Sequence, residues 1–305
     1  MGRFLLARAA QGVVTLLAVS VVVFVLSRLS GDPLALVLDP MATREDMARE
    51  LARLGLDRSY PEQYLLFLLH ALGGDFGQSV FHKQPAFSVF LEKLPATLEL
   101  GATAFLLSVA IAIPAGVFAA VHRDGLIDRA ARLFSLTGQS SPVFWIGLVL
   151  MLLFSVTLGW LPTSGRGTSR HLVLPAVTLG WYGNAFLMRI TRSAMLDVLG
   201  TDYIRLARLG GLPERKVVWK HGFRNAATSV VTTLGLMSIS LVTGAVVTET
   251  VFAWPGVGRL TVDAIFQRDF PVVQASVLLI AAMVVAVNLA VDVLYAWIDP
   301  RVRLA

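Results

Sequence analysis

Six stretches of the chain are almost continuously apolar, at about Ala9–Leu29, Ala96–Val121, Val143–Leu161, Leu172–Met188, Ala227–Thr248 and Val272–Ile298. Each approaches the roughly 20 residues that a helix needs to cross a bilayer core. Between the fourth and fifth lies a charged island, Thr201 to Ala226, reading TDYIRLARLGGLPERKVVWKHGFRNA. Tyr203, Leu206, Ala207 and Gly210 fall at i, i+3, i+4 and i+7, which predicts a short amphipathic helix with Asp202, Arg205 and Arg208 on its opposite face. Gly210 and Gly211 supply its stop, and Pro213 with Glu214 suits the first turn of a second helix running into the next apolar stretch. Two helices joined by a bend and continuous with a membrane span could carry a push from a soluble partner into the bilayer. The plainer alternative is a solvated loop that only obeys the rule that basic residues stay inside.

The segment from Ser30 to Lys93 is too polar to span and too long for a plain connection. Thr43 to Asp46 has capping-box spacing before a helix with Met47, Leu51 and Leu54 on one side, and a second helix starts near Tyr60-Pro61 with Tyr64, Phe67 and Leu68. The expected organisation is a first span over 1–29, an extracytoplasmic helical insertion over 30–93, a five-helix core over 94–298 holding a cytoplasmic loop at 189–226, and a cytoplasmic tail over 299–305. The insertion is either a functional cap or a folded spacer.

Composition supports the membrane reading. The 305 residues are 56% hydrophobic and 15% charged, against about 25% charged in a soluble domain, and the mean hydropathy is +0.71. A net charge of +6 raises nucleic acid as a partner, but the arginines cluster between apolar spans with no aromatic platform, so none is expected. With an even number of spans both termini share one side. Placing them inside puts 15 of the 26 basic residues there. Arg3 and Arg8 before the first apolar run resemble a signal peptide, yet no small-residue cleavage pattern follows, and an uncleaved first span is expected. There is no cysteine, hence no disulfide framework and no thiolate metal site.

Polar residues inside the spans are candidates for a pathway. Span two opens at Pro95 with Glu99 near its outer end and Pro114 within it, span four holds Asn184, and span five holds Ser238 and Thr243. Intramembrane polar groups face cavities or partners, although small and hydroxyl residues also serve close helix packing. In span six Asn288, Asp292 and Tyr295 share a face, and Asp292 lies near enough to the inner end to act as a structural lock with an arginine.

No catalytic constellation is present. The five histidines lack HExxH spacing, no G-x-S-x-G elbow occurs, and none of Lys83, Lys93, Lys216 and Lys220 follows a glycine as a phosphate-binding loop requires. The chain is therefore expected to be no ATPase, and any ATP that drives it must sit on another polypeptide.

The chain resembles the permease subunits of binding-protein-dependent ABC importers, in the branch for dipeptides, oligopeptides, glutathione and nickel. The strings that carry the likeness run in order along nearly the whole chain: GDP at Gly31–Pro33, LGLDRSYPEQY at Leu54–Tyr64, GDFGQS at Gly74–Ser79, LPATLEL at Leu94–Leu100, SPVFWIG at Ser141–Gly147, GWLP at Gly159–Pro162 and LPAVTLG at Leu174–Gly180. They continue with DYIRLARLGGL at Asp202–Leu212, HGFRNA at His221–Ala226, ETVFAWPGVGRL at Glu249–Leu260, RDFPVVQ at Arg268–Gln274 and NLAVDVLYAWIDPR at Asn288–Arg301.

The resemblance implies an all-α membrane protein of six transmembrane helices with the type I importer permease fold. It implies a second homologous permease, two cytoplasmic ABC ATPases that hold ATP and Mg, an extracytoplasmic solute-binding protein and membrane lipid as partners, with no cofactor on this chain. The island becomes a coupling helix docked on an ATPase. Tyr203 and Leu206 belong to its apolar face, Ala207 and Gly211 are expected to pack closely, and Asp202, Arg205 and Arg208 to make polar contacts. Most of the superfamily's EAA-x3-G signature is missing, with Arg205-Leu206-Ala207 in its place. The competing expectations are an ion-gradient-driven secondary transporter, which calls for paired intramembrane carboxylates that are not seen, and a membrane scaffold without a pathway.

Overall fold

A computed structural model describes residues 2–29 and 58–298; the expected helix after Thr43 and the tail from Asp299 lie outside them. Among the described residues the regular structure is helical: α1 (Gly2–Leu29), α2 (Tyr60–Leu72), α3 (Ala86–Val121), α4 (Leu126–Ser140), α5 (Val143–Leu150), α6 (Ser169–Leu199), α7 (Asp202–Leu209), α8 (Arg224–Val251), α9 (Val257–Gln267) and α10 (Phe270–Ile298). α5 runs on as a π-helix over Met151–Thr157, and a short turn at Glu214–Lys216 and a π-helix over Val217–Phe223 lead into α8.

Three of these helices are long and apolar enough to cross a membrane, over Leu6–Leu29, Ala86–Val121 and Phe270–Val293, and up to five spans result if each bent helix pair counts as one. One such pair is α4 with α5 and its extension, bent by 112°. The fourth expected span, Leu172–Met188, falls inside α6, which runs unbroken for 31 residues because no breaker separates Met188 from Leu199. The charged loop expected from Arg189 is therefore helical to Leu199, and the free part of the island begins at Gly200. α3 starts at Ala86, so Pro95 lies within it and does not open it. At about 1.5 Å per residue its 36 residues reach about 54 Å, more than a bilayer core.

The chain divides into two compact units, one of Met1–Ala96 with Pro255–Leu289 and one of Thr97–Trp254 with Ala290–Ala305. In the first, α2 lies against α1: the Tyr64 hydroxyl is 2.8 Å from that of Ser20, and the Phe24 ring sits 5.5 Å from Tyr64 and 5.8 Å from Phe67. Its core gathers Phe76, Ala86, Val89, Leu260, Val272 and Ala275.

In the second unit α6 is the central element. A Cβ on Gly116 of α3 would come within 2.7 Å of the Met188 carbonyl and of Thr191, and one on Gly138 of α4 within 2.5 Å of Ala185. Two neighbours thus meet α6 through glycine, the small-residue packing that membrane helices use where no hydrophobic force separates lipid from protein. Phe134 and Trp181 pack edge to face beside this contact, 5.0 Å apart. Asp128, fully buried at the start of α4, is held by the Arg192 guanidinium of α6 through Nε and through Nη2 at 2.9 Å. Arg132 at 3.2 Å and the Asp124 N–H at 2.9 Å complete its shell. Glu249 of α8, also fully buried, accepts a 2.5 Å hydrogen bond from Thr97 of α3. Elsewhere the helices leave large apolar side chains uncovered, among them Val14, Val22, Leu106, Leu152 and Val156, as surfaces facing lipid or a second subunit do.

Candidate functional site

The island folds as the periodicity predicts, with its apolar side turned differently. α7 begins at Asp202, as an acidic residue in a first turn favours, and ends in a Schellman motif: the Gly211 N–H bonds to the Arg208 carbonyl (3.0 Å) and the Leu212 N–H to that of Ala207 (3.3 Å). Gly211 takes φ +76°, the left-handed conformation that this cap requires. The side chain that anchors α7 is Ile204, which is fully buried, with Ala207 half-buried one turn on. Ile204 was not singled out from the sequence, although it lies at i−3 from Ala207 and would have completed the inner face. Leu206, on the apolar face that the periodicity marks, is 67% exposed, and Leu209 is 84% exposed, so both leucines point away from the protein. At Gly211 the backbone geometry itself calls for glycine, and among the described residues no heavy atom lies within 4 Å of a Cβ built there.

Polar contacts tie α7 to the segment that follows. Arg208 grips Glu214 across the cap at 2.7 and 3.2 Å. The Tyr203 hydroxyl accepts from Asn225 Nδ2 at 2.7 Å and donates to the His221 carbonyl at 3.4 Å, while Asn225 also donates to that carbonyl at 2.9 Å. Asn225 stands in the first turn of α8, so a displacement of α7 reaches the foot of a 28-residue helix through a tyrosine strut. Asp202 and Arg205 pair with each other at 3.3 Å on the open side, an exposed contact worth little by itself.

The residues expected along a pathway are not brought together. Glu99 is bound by Arg166 at 2.6 and 2.9 Å, and the Arg166 guanidinium lies 5.9 Å from the Trp254 ring centre. Asn184 is buried beside Gly180, and among the described residues its Oδ1 accepts no hydrogen bond. Ser238 bonds to the Leu234 carbonyl of its own helix at 2.9 Å. The Thr243 side chain lies outside the described residues, and Asp292 is half-buried in α10. An apolar cavity of about 250 Å³ opens instead between α6 and α8, lined by Leu179, Tyr182, Gly183, Met237 and Gly244 among others. Among the described residues no group of three or more His, Cys, Asp or Glu side chains is placed to hold a metal ion.

The site thus consists of a short amphipathic helix anchored on a helical membrane protein by Ile204 and Tyr203, with its leucines outward. Residues 112–304 match the family described as the binding-protein-dependent transport system inner membrane component, and residues 1–101 match the N-terminal region of such membrane components. The chain belongs to this family and is a permease subunit of a binding-protein-dependent ABC importer, an inner-membrane, multi-pass protein.

It is 41% identical over 319 residues to the di/tripeptide transport system permease protein DppB of Pseudomonas aeruginosa (strain UCBPP-PA14), covering 95% of both chains. With the dipeptide transport system permease protein DppB of Escherichia coli (strain K12) it shares 38% identity over 334 residues, covering 99% of this chain and 98% of the other. Its likeness to the glutathione transport system permease protein GsiC of Salmonella choleraesuis (strain SC-B67) is 43% identity over 290 residues, 95% of each. Family membership leaves the ion-gradient alternative without support.

Proposed function

We propose that this permease forms half of the translocation pathway for peptides or related small solutes, the cargo named for its relatives, with α7 as the coupling helix. In this reading both termini are cytoplasmic and a second, similar permease completes a heterodimer. Two cytoplasmic ATPases hold ATP and Mg, and the chain itself hydrolyses nothing and binds no cofactor. A loaded extracytoplasmic binding protein delivers the solute.

The observation that carries the reading is the outward exposure of Leu206 and Leu209 on a helix whose inner side is fixed by Ile204. Two leucines buried in a partner's groove contribute about 1.5–3 kcal/mol each, which a solvated loop would forgo. ATP binding closes the ATPase pair and draws the two coupling helices together. The movement passes through Arg208–Glu214 and Tyr203–Asn225 into α8. For this to drive transport, the ATPase surface must engage the inward-open and outward-open permeases with different affinity.

The test is the double substitution Leu206→Asp with Leu209→Asp in the full complex. The permease should still insert and fold, while the ATPases dissociate on purification and uptake of a labelled peptide falls to background. Retention of both ATPases at wild-type stoichiometry with normal uptake refutes the assignment.

A further inference from the structure

The loop from Gly73 to Pro85 is joined to the end of α9 through one carboxylate. Asp269 is fully buried, and its Oδ2 accepts from the Ser79 hydroxyl at 2.5 Å and from the Phe81 N–H at 3.5 Å. Ser79, itself 2% exposed, accepts the His82 N–H at 2.9 Å and lies 3.1 Å from His82 Nδ1. Backbone bonds from Ser79 N–H to Gln84 and from Lys83 N–H to Ser79 close the turn, and one from Asp269 N–H to Ala264 closes the end of α9.

Two residues at this junction hold left-handed backbone conformations without being glycine: Lys83 at φ +55° and Arg268 at φ +58°. Such conformations persist in bulky residues only where the surroundings enforce them, and they cluster at functional positions. Both side chains are exposed, and among the described residues neither is ion-paired. Around them stand Phe81, Ile265 and Phe266, exposed by 53%, 54% and 84%. The buried carboxylate thus displays two unpaired cations and three apolar side chains on backbone that is locked in place. Contact with lipid requires no such rigidity. A protein partner gains from it, because the entropy of ordering the surface is already spent, and aromatic residues with arginine are enriched where proteins meet.

We propose that Phe81, Lys83, Ile265, Phe266 and Arg268, held by Ser79 and Asp269, form a landing surface for the solute-binding protein and receive a carboxylate-bearing acidic face of it. The proposal rests on the reading above, in which both termini are cytoplasmic and the connection before the last span, which holds α9, is therefore outside.

The experiment uses the whole complex of both permeases and both ATPases in nanodiscs, titrated with loaded binding protein while ATP hydrolysis is followed. With Lys83→Glu and Arg268→Glu together, the binding-protein concentration for half-maximal stimulation should rise about tenfold or more, with basal hydrolysis unchanged. Added salt should weaken the wild-type response and not that of the variant. Phe266→Ser, a surface change that leaves the Asp269 shell intact, should shift the same midpoint in the same direction. Unchanged midpoints overturn the proposal. So does loss of the second permease from the variant complex, which makes the surface a permease interface, or an effect seen only when the lipid charge of the nanodisc is altered. A Lys83→Cys variant whose thiol resists an impermeant maleimide added to intact cells also overturns it. Failure of the wild-type complex to respond to the loaded binding protein would instead sink the importer reading itself.

Discussion

Gly210 and Gly211 are adjacent in sequence, yet substitutions at them should have different consequences. Gly210 sits at φ −71°, which any L-residue adopts, whereas Gly211 sits at φ +76° in the Schellman cap of α7. A Cβ costs roughly 1–2 kcal/mol in the left-handed region, and asparagine tolerates it better than alanine or a β-branched residue. Among the described residues no atom lies near enough to Gly211 for side-chain volume to matter. The damage should therefore follow backbone preference, with Asn mildest, Ala intermediate and Val worst. A loss of 1–2 kcal/mol corresponds to about a five- to thirtyfold fall in the population of the native cap. The assay is the number of ATP molecules hydrolysed per solute imported in proteoliposomes that carry the complete transporter. Gly211→Ala should raise that ratio several-fold, Gly211→Asn less, and Gly210→Ala least. If Asn proves worse than Ala at Gly211, or Gly210→Ala is as harmful as Gly211→Ala, size and not conformation governs the cap and the reasoning fails.

Three further outcomes are expected. Arg192→Met should lower stability by about 3 kcal/mol or more, because it strips the main partner from the buried Asp128 carboxylate; pairing it with Asp128→Asn should recover part of the loss, as thermal unfolding in detergent will read. Gly138→Ala should cost about 1–3 kcal/mol by forcing α4 away from Ala185, and Gly138→Leu should block assembly of the helices outright, measured as loss of a monodisperse peak on size exclusion. The Glu62 carboxyl, which accepts from the Ser59 hydroxyl at 2.9 Å and N–H at 3.1 Å, is held below the usual glutamate range by those bonds. A lowered folded-state value means that its contribution is present above the unfolded value and is lost as pH falls through the folded one, so the protection of amides at the start of α2, relative to their intrinsic exchange rate at each pH, should fall in acid, and Glu62→Gln should flatten that dependence.

The apolar periodicity located most helices of the core, and the glycine pair marked where α7 stops. What it could not give was which side of α7 faces inward. Two stripes compete on an eight-residue helix, and Ile204 wins the buried position because the protein offers it a fitted site, a choice made by tertiary contact and not by spacing. The extents of α3 and α6 were underestimated for a related reason: a search for apolar runs stops at the polar ends, whereas hydrogen bonding continues through Ser88–Lys93 and Arg189–Leu199. Pathway residues were sought among lone polar groups, but Glu99 and Ser238 have found partners and Asn184 is buried, and the cavity between α6 and α8 is mostly apolar. Asp128 was hidden among the arginines counted for topology, although its i,i+4 spacing to Arg132 was a usable signal.

The wide turn at Val217–Phe223 has a consequence for how force is aimed. A π-helical turn holds an extra residue, and each residue of helix advances the azimuth by about 100°. The face of α8 that responds to a tug on Tyr203 is therefore not the one that a regular helix would have turned toward it. Removing one residue from that turn would keep the lever intact and redirect the same stroke to a different wall of the bundle.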